Sequence, residues 1–246
     1  MRIKLVLESE GNNQISLPVH YNQIIQGFLY HNLPSELGKF LHDVGFFYHN
    51  RPFKLITYSK IFSKKITINN STAYFESPIT IFISSAVEDV SKSFAKSLLI
   101  SEKNFLKNQS LTLKSIKILQ KPKFDFINKI KTLSPITVYK TIEKEDGKKI
   151  TQYFIPEDPE FKDLVKENIR KKYSVIKETD LNDFEFAIKP LGYKKKIIKY
   201  KNFVIKAVDG EFELKIQPEI LETVYDAGIG AKNSQGFGMI KLYKKF

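Results

Sequence analysis

Four histidines, His20, His31, His42 and His49, fall within thirty residues of one another. Imidazole is the side chain best suited to moving protons near neutrality. Metal ligation is the first chemistry to test. Zinc holds nitrogen ligands at about 2.0–2.1 Å, so ligand nitrogens must converge within roughly 4 Å. His20, His31 and His42 are eleven residues apart, which on one continuous helix separates neighbours by ~16 Å. Pro34 interrupts any such helix, and the chain has no cysteine and no HExxH pattern. A metal site is therefore not expected.

Acid–base work by one histidine fits the spacing better. Tyr21, Ile24, Ile25, Phe28 and Leu29 recur at helical intervals and predict a helix from about Tyr21. At ~100° per residue its core face centres near Ile25 and Phe28, leaving Tyr30 on the opposite face beside Gln23 and Gln26. Pro34 stops that helix. A second helical piece turns Leu37, Phe40, Leu41 and Val44 inward and leaves His42 outside, near Lys39. Lys54 opens the next strand. Tyrosine, histidine and lysine suffice for metal-free cleavage of an RNA phosphodiester. One group takes the proton of the 2′-hydroxyl, another protonates the leaving 5′-oxygen, and a cation steadies the phosphorane. Exposed tyrosine and histidine are also ordinary on helix surfaces.

The most specific local pattern is a glycine-rich loop, Gly228-Ile-Gly230-Ala-Lys232-Asn233-Ser234-Gln235-Gly236-Phe237-Gly238. It is not a dinucleotide fingerprint, because Asn233 stands at the third glycine position and a helix precedes it. No GK[ST] follows, so it is not a P-loop. Glycines expose backbone N–H groups that phosphates can approach, and Lys232 adds charge. Residues 235–242 partly echo an RNA-binding consensus, keeping Gly236, Phe237 and Gly238. Gln235, Met239 and Leu242 replace its basic and later aromatic positions. A tight turn is the plainer reading, but a turn needs one or two glycines.

The elements that must hold these residues alternate in a recognisable order. Arg2–Leu7 reads as a strand, then come the helices described above, then strands at Phe53–Tyr58 and Ile79–Ser84. Ser85 with Glu88 reads as a capping box opening a helix with Val87, Val90, Phe94 and Leu98 inward. Leu111–Leu119 closes the unit as a strand. This is the split βαβ arrangement. The second half reads as a looser copy, with strands at Ser134–Lys140 and Ile150–Ile155 joined through Asp146-Gly147. A helix follows from Pro159, then strands at Phe184–Lys189, Lys195–Tyr200, Phe203–Val208 and Phe212–Ile216. A short helix from Pro218 and a strand at Met239–Tyr243 complete it. The expected fold is α+β, two tandem ferredoxin-like (RRM-like) domains, each an antiparallel βαββαβ sheet with helices on one face, at residues 1–125 and 126–246.

Composition supports a polyanionic partner. The chain of 246 residues has 40 Lys+Arg against 27 Asp+Glu, a net charge of +13, and nucleic acid is the default counterpart. The charge is uneven. Residues 1–50 carry 3 basic and 4 acidic groups, whereas residues 101–150 carry 12 and 5. Runs such as Lys194-Lys195-Lys196 equally suit a solvated strand edge. Glu8 and Glu10 come too early for a signal peptide, and the most apolar run, Ser77–Val87, is far short of the ~20 residues of a membrane helix. A soluble, cytoplasmic protein is expected.

The residues GIGAKNSQGFGMIKL (228–242) resemble the signature loop of the repeat-associated mysterious protein (RAMP) superfamily. Thr132–Ile136 supports the likeness, and the N-terminal stretches Tyr21–Tyr30, Phe40–Phe46 and Lys54–Ser59 narrow the resemblance to its CRISPR-associated repeat-RNA endoribonuclease, the sixth in the Cas naming series. The likeness spans both halves. It implies metal-independent cleavage by the 2′-hydroxyl, leaving a 2′,3′-cyclic phosphate and a 5′-hydroxyl, with no cofactor. Positions matching the family's Tyr/His/Lys set are Tyr30, His42 and Lys54. His42 is then general acid or base, Tyr30 its partner at the 2′-hydroxyl, and Lys54 the cation at the phosphate. Catalytic residues vary in this family, so His31 and His49 stand as alternatives. The loop residues 228, 230 and 232–238 are the expected RNA contacts, and CRISPR repeat RNA the expected partner. A non-catalytic RNA-binding subunit of a CRISPR effector complex is the other reading. Association with effector subunits, and monomer against homodimer, stay open.

Overall fold

A computed structural model of the chain describes residues 1–143 and 145–243. The first half contains β1 (Arg2–Ser9), β2 (Gln14–Pro18), α1 (Asn22–His31), α2 (Ser35–Lys39), β3 (Phe46–Tyr48), β4 (Arg51–Phe53) and β5 (Ile56–Tyr58). It continues with β6 (Ile66–Asn69), β7 (Thr72–Glu76), β8 (Ile79–Ser85), α3 (Glu88–Ile100), β9 (Asn104–Leu106) and β10 (Gln109–Leu119). An antiparallel sheet has the order β5-β8-β1-β10-β9. The period of two sends Ile3, Leu5 and Leu7 of β1 to one face, all fully buried. There they share a core with Ile25, Phe28 and Leu29 of α1 and Val90, Phe94 and Leu98 of α3.

The second half contains β11 (Ile127–Thr132), β12 (Val138–Glu143), β13 (Lys149–Phe154), α4 (Pro159–Lys177), β14 (Ala187–Tyr200), β15 (Phe203–Lys215), α5 (Pro218–Val224) and β16 (Ile240–Leu242). Its main sheet runs β14-β15-β11-β16. Matched element by element, β11, β14, β15 and β16 occupy the places of β1, β5, β8 and β10. The fold is α+β with two ferredoxin-like lobes in tandem, each with its own core.

Several sequence expectations are corrected in detail. β11 was unread because two of its three inward residues, Asn128 and Thr132, are polar; only Ile130 gives an apolar signal. The four strands expected between Phe184 and Ile216 are two long ones, β14 and β15, paired in a single hairpin from Ala187↔Lys215 to Tyr200↔Phe203. Pro190 and Gly192 mark a bulge within β14, not a break. Phe184 and Phe186 are buried before that strand starts. The strand expected at Phe53–Tyr58 is split at Leu55, whose φ is +51°, so Lys54 lies between β4 and β5. Ser85 makes no capping box. It belongs to β8, its hydroxyl accepts from the Val87 N–H at 3.1 Å and donates to Leu55 O at 3.0 Å, and α3 starts after Val87. A small sheet, β2-β7-β6, was also unread. Among the described residues no helix is long and apolar enough to cross a membrane.

Candidate active site

α1 delivers Tyr30 and its continuation delivers His42. After Pro34 the chain makes α2 and then one π-helical turn, Phe40–Val44, closed by Gly45 N–H donating to Phe40 O at 2.8 Å. A π turn is uncommon and often marks a functional position. Leu41 is fully buried and pins the turn to the core, while Phe40 and Val44, expected inside, are exposed. The wider turn cannot keep the 3.6-residue stripe that would have buried them. His42 therefore faces solvent, with its side chain 72% exposed.

Gly45 reverses the chain at φ +77°, ψ −162°, a region essentially reserved for glycine. A Cβ there would lie 2.6 Å from Phe53 O and 3.0 Å from Lys54 Cδ. This close crossing brings β4 back over the π turn and lays Lys54 across it. Lys54 Nζ donates to His42 O at 2.7 Å. The rings of Tyr30 and His42 meet edge to face, with centroids 6.1 Å apart. The three residues singled out by spacing are therefore neighbours in space.

Their surroundings set their states. Tyr30 does not stand clear of the core as expected. It is half-buried against the first lobe's core, and burial, with Tyr200 nearby, pushes its hydroxyl up to about 12. The phenol stays neutral at ordinary pH. Partial burial draws the Lys54 ammonium below its usual range, with Asp43 opposing the shift. His42 Nδ1 lies 2.6 Å from Asp43 Oδ1. A carboxylate only accepts, so an Nδ1–H donated to Asp43 leaves Nε2 free to exchange a proton. Asp43 was missed because an acidic neighbour in sequence carries no pattern of its own.

The other histidines lie elsewhere. His31 ends α1 and is exposed. His49, at the β3–β4 turn, packs on Tyr48 with ring centroids 4.4 Å apart. His20 is at the far end of α1, in a cleft of about 480 Å³ shared with Lys60, Lys196, Ile197 and Asp209. Among the described residues no three His, Cys, Asp or Glu side chains gather as metal ligands would.

The glycine-rich loop lies in the seam between the lobes. Gly228, Gly230, Asn233, Gly236, Phe237 and Gly238 are buried; Lys232, Ser234 and Gln235 are half-buried. Part of the loop's amide row is already engaged within the protein, Gly236 N–H on Asn233 O among them. Ile229, Ala231 and Gly238 N–H donate to Gly238 O, Thr137 O and Pro135 O at 2.8–2.9 Å, since buried backbone groups need partners. At Gly238, φ is +74° and a Cβ would sit 1.8 Å from Ile229 O, so no other residue fits. Asn233 Nδ2 bridges Ile229 O and Phe237 O. From the first lobe, Asn22 Nδ2 donates to Gln235 O at 2.8 Å, Gln26 Nε2 to Ser234 O at 2.7 Å, and Thr57 Oγ1 to Phe237 O at 3.0 Å.

Two buried cations complete the seam. Lys172 of α4 donates to Gly228 O, Gly230 O and Asn233 Oδ1 at 2.6, 2.9 and 2.6 Å. Arg2 of β1 donates to Ile240 O and Tyr225 O, lies over the Tyr225 ring and faces Asp226. Neither was foreseen. For Lys172 a signal existed: Phe161, Val165, Ile169 and Lys172 continue one helical stripe.

The arrangement matches a known family. The model for CRISPR associated protein Cas6, C-terminal, matches residues 119–242, which takes in all of the second sheet and the loop. This chain belongs to the Cas6 family. Similar proteins include CRISPR-associated endoribonuclease Cas6 1 of Methanocaldococcus jannaschii, 28% identical over 98% of this chain and 92% of its own length. CRISPR-associated endoribonuclease Cas6 of Pyrococcus furiosus is also 28% identical, over 98% of this chain and 88% of its own. A solved structure of a CRISPR associated protein Cas6 superposes with a TM-score of 0.82, 26% identity and 99% coverage of both chains. A structure described as a RAMP protein binding different RNA substrates has the same fold, at TM-score 0.85 and 24% identity over 99% of this chain and 100% of its own. The Cas6 match thus extends across both lobes.

Proposed function

We propose that this chain is an endoribonuclease that cuts CRISPR repeat transcripts into guide RNAs without a metal ion. The observation that carries the reading is that Tyr30 of α1 and Lys54 from between β4 and β5 both meet His42 on its exposed π turn. The relatives named as endoribonucleases support the class of reaction. In the proposed step the ribose 2′-oxygen attacks its own phosphorus and the bond to the 5′-oxygen breaks. The products carry a 2′,3′-cyclic phosphate and a 5′-hydroxyl. His42 exchanges one of the two protons through Nε2, either taking it from the 2′-hydroxyl while solvent protonates the leaving 5′-oxygen, or giving it to that oxygen while solvent takes the 2′-hydroxyl proton. Tyr30, held neutral, donates a hydrogen bond beside the 2′-hydroxyl. Lys54 has donors left after binding His42 O and turns them to the phosphorane oxygens.

RNA is the proposed partner. The +13 charge supplies the general attraction. From the loop, we assign direct RNA contact to its half-buried rim, Lys232, Ser234 and Gln235, with the buried glycines, Asn233 and Phe237 shaping that rim from within.

Incubation of labelled repeat RNA in EDTA tests the reading. The expected result is one cut with a cyclic phosphate and a 5′-hydroxyl, slowed roughly 10²–10⁴-fold by His42→Ala with little change in affinity. Tight binding without cutting would leave the non-catalytic RNA-binding subunit. A 5′-phosphate product, or cutting only with magnesium, would exclude the mechanism.

A further inference from the structure

Lys172 is 2% exposed, and all three of its ammonium hydrogens are matched by loop acceptors. Burying an ammonium is costly unless it is fully paired, so this lysine fixes the loop's shape rather than filling space. The loop then grips α1. Asn233, held by Lys172, is followed by Ser234, whose carbonyl accepts from Gln26 Nε2 at 2.7 Å. Gln26 also meets the hydroxyl of Tyr200, at the tip of the β14–β15 hairpin. Gln26 lies four residues before Tyr30, one turn away on the same helix face. Two hydrogen bonds joined by the Asn233–Ser234 peptide therefore lead from α4 in the second lobe to the helix that carries Tyr30 in the first.

We propose that Lys172 is a positioning residue for RNA cleavage, which acts through the glycine-rich loop and Gln26 to set where Tyr30 stands against His42. The proposal rests on the assignment of Tyr30 to the reaction made above. It gives the loop a part in the reaction although most of the loop is buried. Displacements near 1 Å are enough to slow a reaction by about 10²-fold, and neither Lys172 nor Gln26 need touch the RNA.

The experiment is a double-mutant cycle on the full chain. Lys172→Met keeps the aliphatic bulk and removes the three donated bonds. Gln26→Leu, at a half-buried site, cuts the same path nearer Tyr30 and carries the test if Lys172→Met does not fold. Each is made alone and with Tyr30→Phe. Single-turnover cleavage and affinity for a repeat RNA with a 2′-deoxy cut site are measured. Expected is a rate lower by roughly 10–100-fold, an affinity within about threefold, and little further loss when either change is added to Tyr30→Phe. Unchanged rates, or a full loss on top of a damaging Tyr30→Phe, overturn the proposal alone. A Tyr30→Phe variant that cleaves at the normal rate overturns the assignment of Tyr30 and the proposal with it.

Discussion

The ammonium of Lys54 donates to the backbone carbonyl of His42 at 2.7 Å. The cation is thereby fixed to the turn that presents the imidazole, so charge and ring keep a set separation. Lys54→Met removes both the charge and the tether. Single-turnover cleavage should fall roughly 10²–10³-fold, with a much smaller change in affinity for 2′-deoxy repeat RNA. Equal losses in rate and affinity would reduce Lys54 to a binding residue.

Gly45 is the hinge that makes this contact possible. Gly45→Ala forces a Cβ against Phe53 O in a backbone region closed to alanine. The expected cost is about 1–3 kcal/mol in urea unfolding. Cleavage should suffer more than stability implies, because the strain is relieved by moving Lys54.

Tyr30 titrates far above its usual range, at about 12. The folded state then holds its proton more tightly than the unfolded chain, whose tyrosines titrate near 10. Its contribution to stability is complete below pH 10 and is lost as pH rises from 10 to 12. Tyr58, Tyr21, Tyr200 and Tyr225 shift the same way through burial. Urea unfolding at pH 9 and pH 11 should show a drop that Tyr30→Phe makes smaller. An identical drop in the variant would contradict the raised titration of Tyr30.

Glu167 behaves in the opposite sense. Hydrogen bonds from Arg170, then from Lys171, hold its carboxyl down at about 2, against some desolvation. Its stabilisation is present above pH 4.5 and is lost as pH falls towards 2. Arg170 also donates to Tyr48 Oη at 2.9 Å, so the pair braces the β3–β4 hairpin near the turn of His42. Glu167→Gln should flatten the acid side of the stability profile while leaving stability at pH 9 to 11 equally steep.

RNA affinity should fall linearly with salt on logarithmic axes, with a slope near −0.7 per phosphate contacted on a single strand. Filter binding at several salt concentrations measures it. A flat response would mean that the net charge of +13 plays no part in binding.

The order of elements was legible because Ile3-Leu5-Leu7 and Ile25-Phe28-Leu29 repeat at periods of two and 3.6. β11 was not, since its inward Asn128 and Thr132 look like solvent-facing residues until their partners are known. Long strands β14 and β15 were cut into four because Pro190, Gly192 and Gly210 read as punctuation when seen in one dimension. Of Tyr30, His42 and Lys54, the outward face of His42 was legible from the apolar stripe, whereas Tyr30 packs partly against the core. The geometry of the three was not legible, because it depends on a π turn and on a single glycine reversal. The loop was found as a pattern, and its glycines do permit close approach: at Gly230 and Gly238 what approaches is the protein's own backbone.

Because most of the glycine-rich stretch is a joint, its buried positions report how two halves are fastened together. On the proposed assignment, side-chain changes at Lys232, Ser234 and Gln235 alter RNA preference while the backbone carbonyls that fasten the lobes stay in place. Conversely, a change at the joint that leaves every RNA-facing atom in place can still silence the molecule.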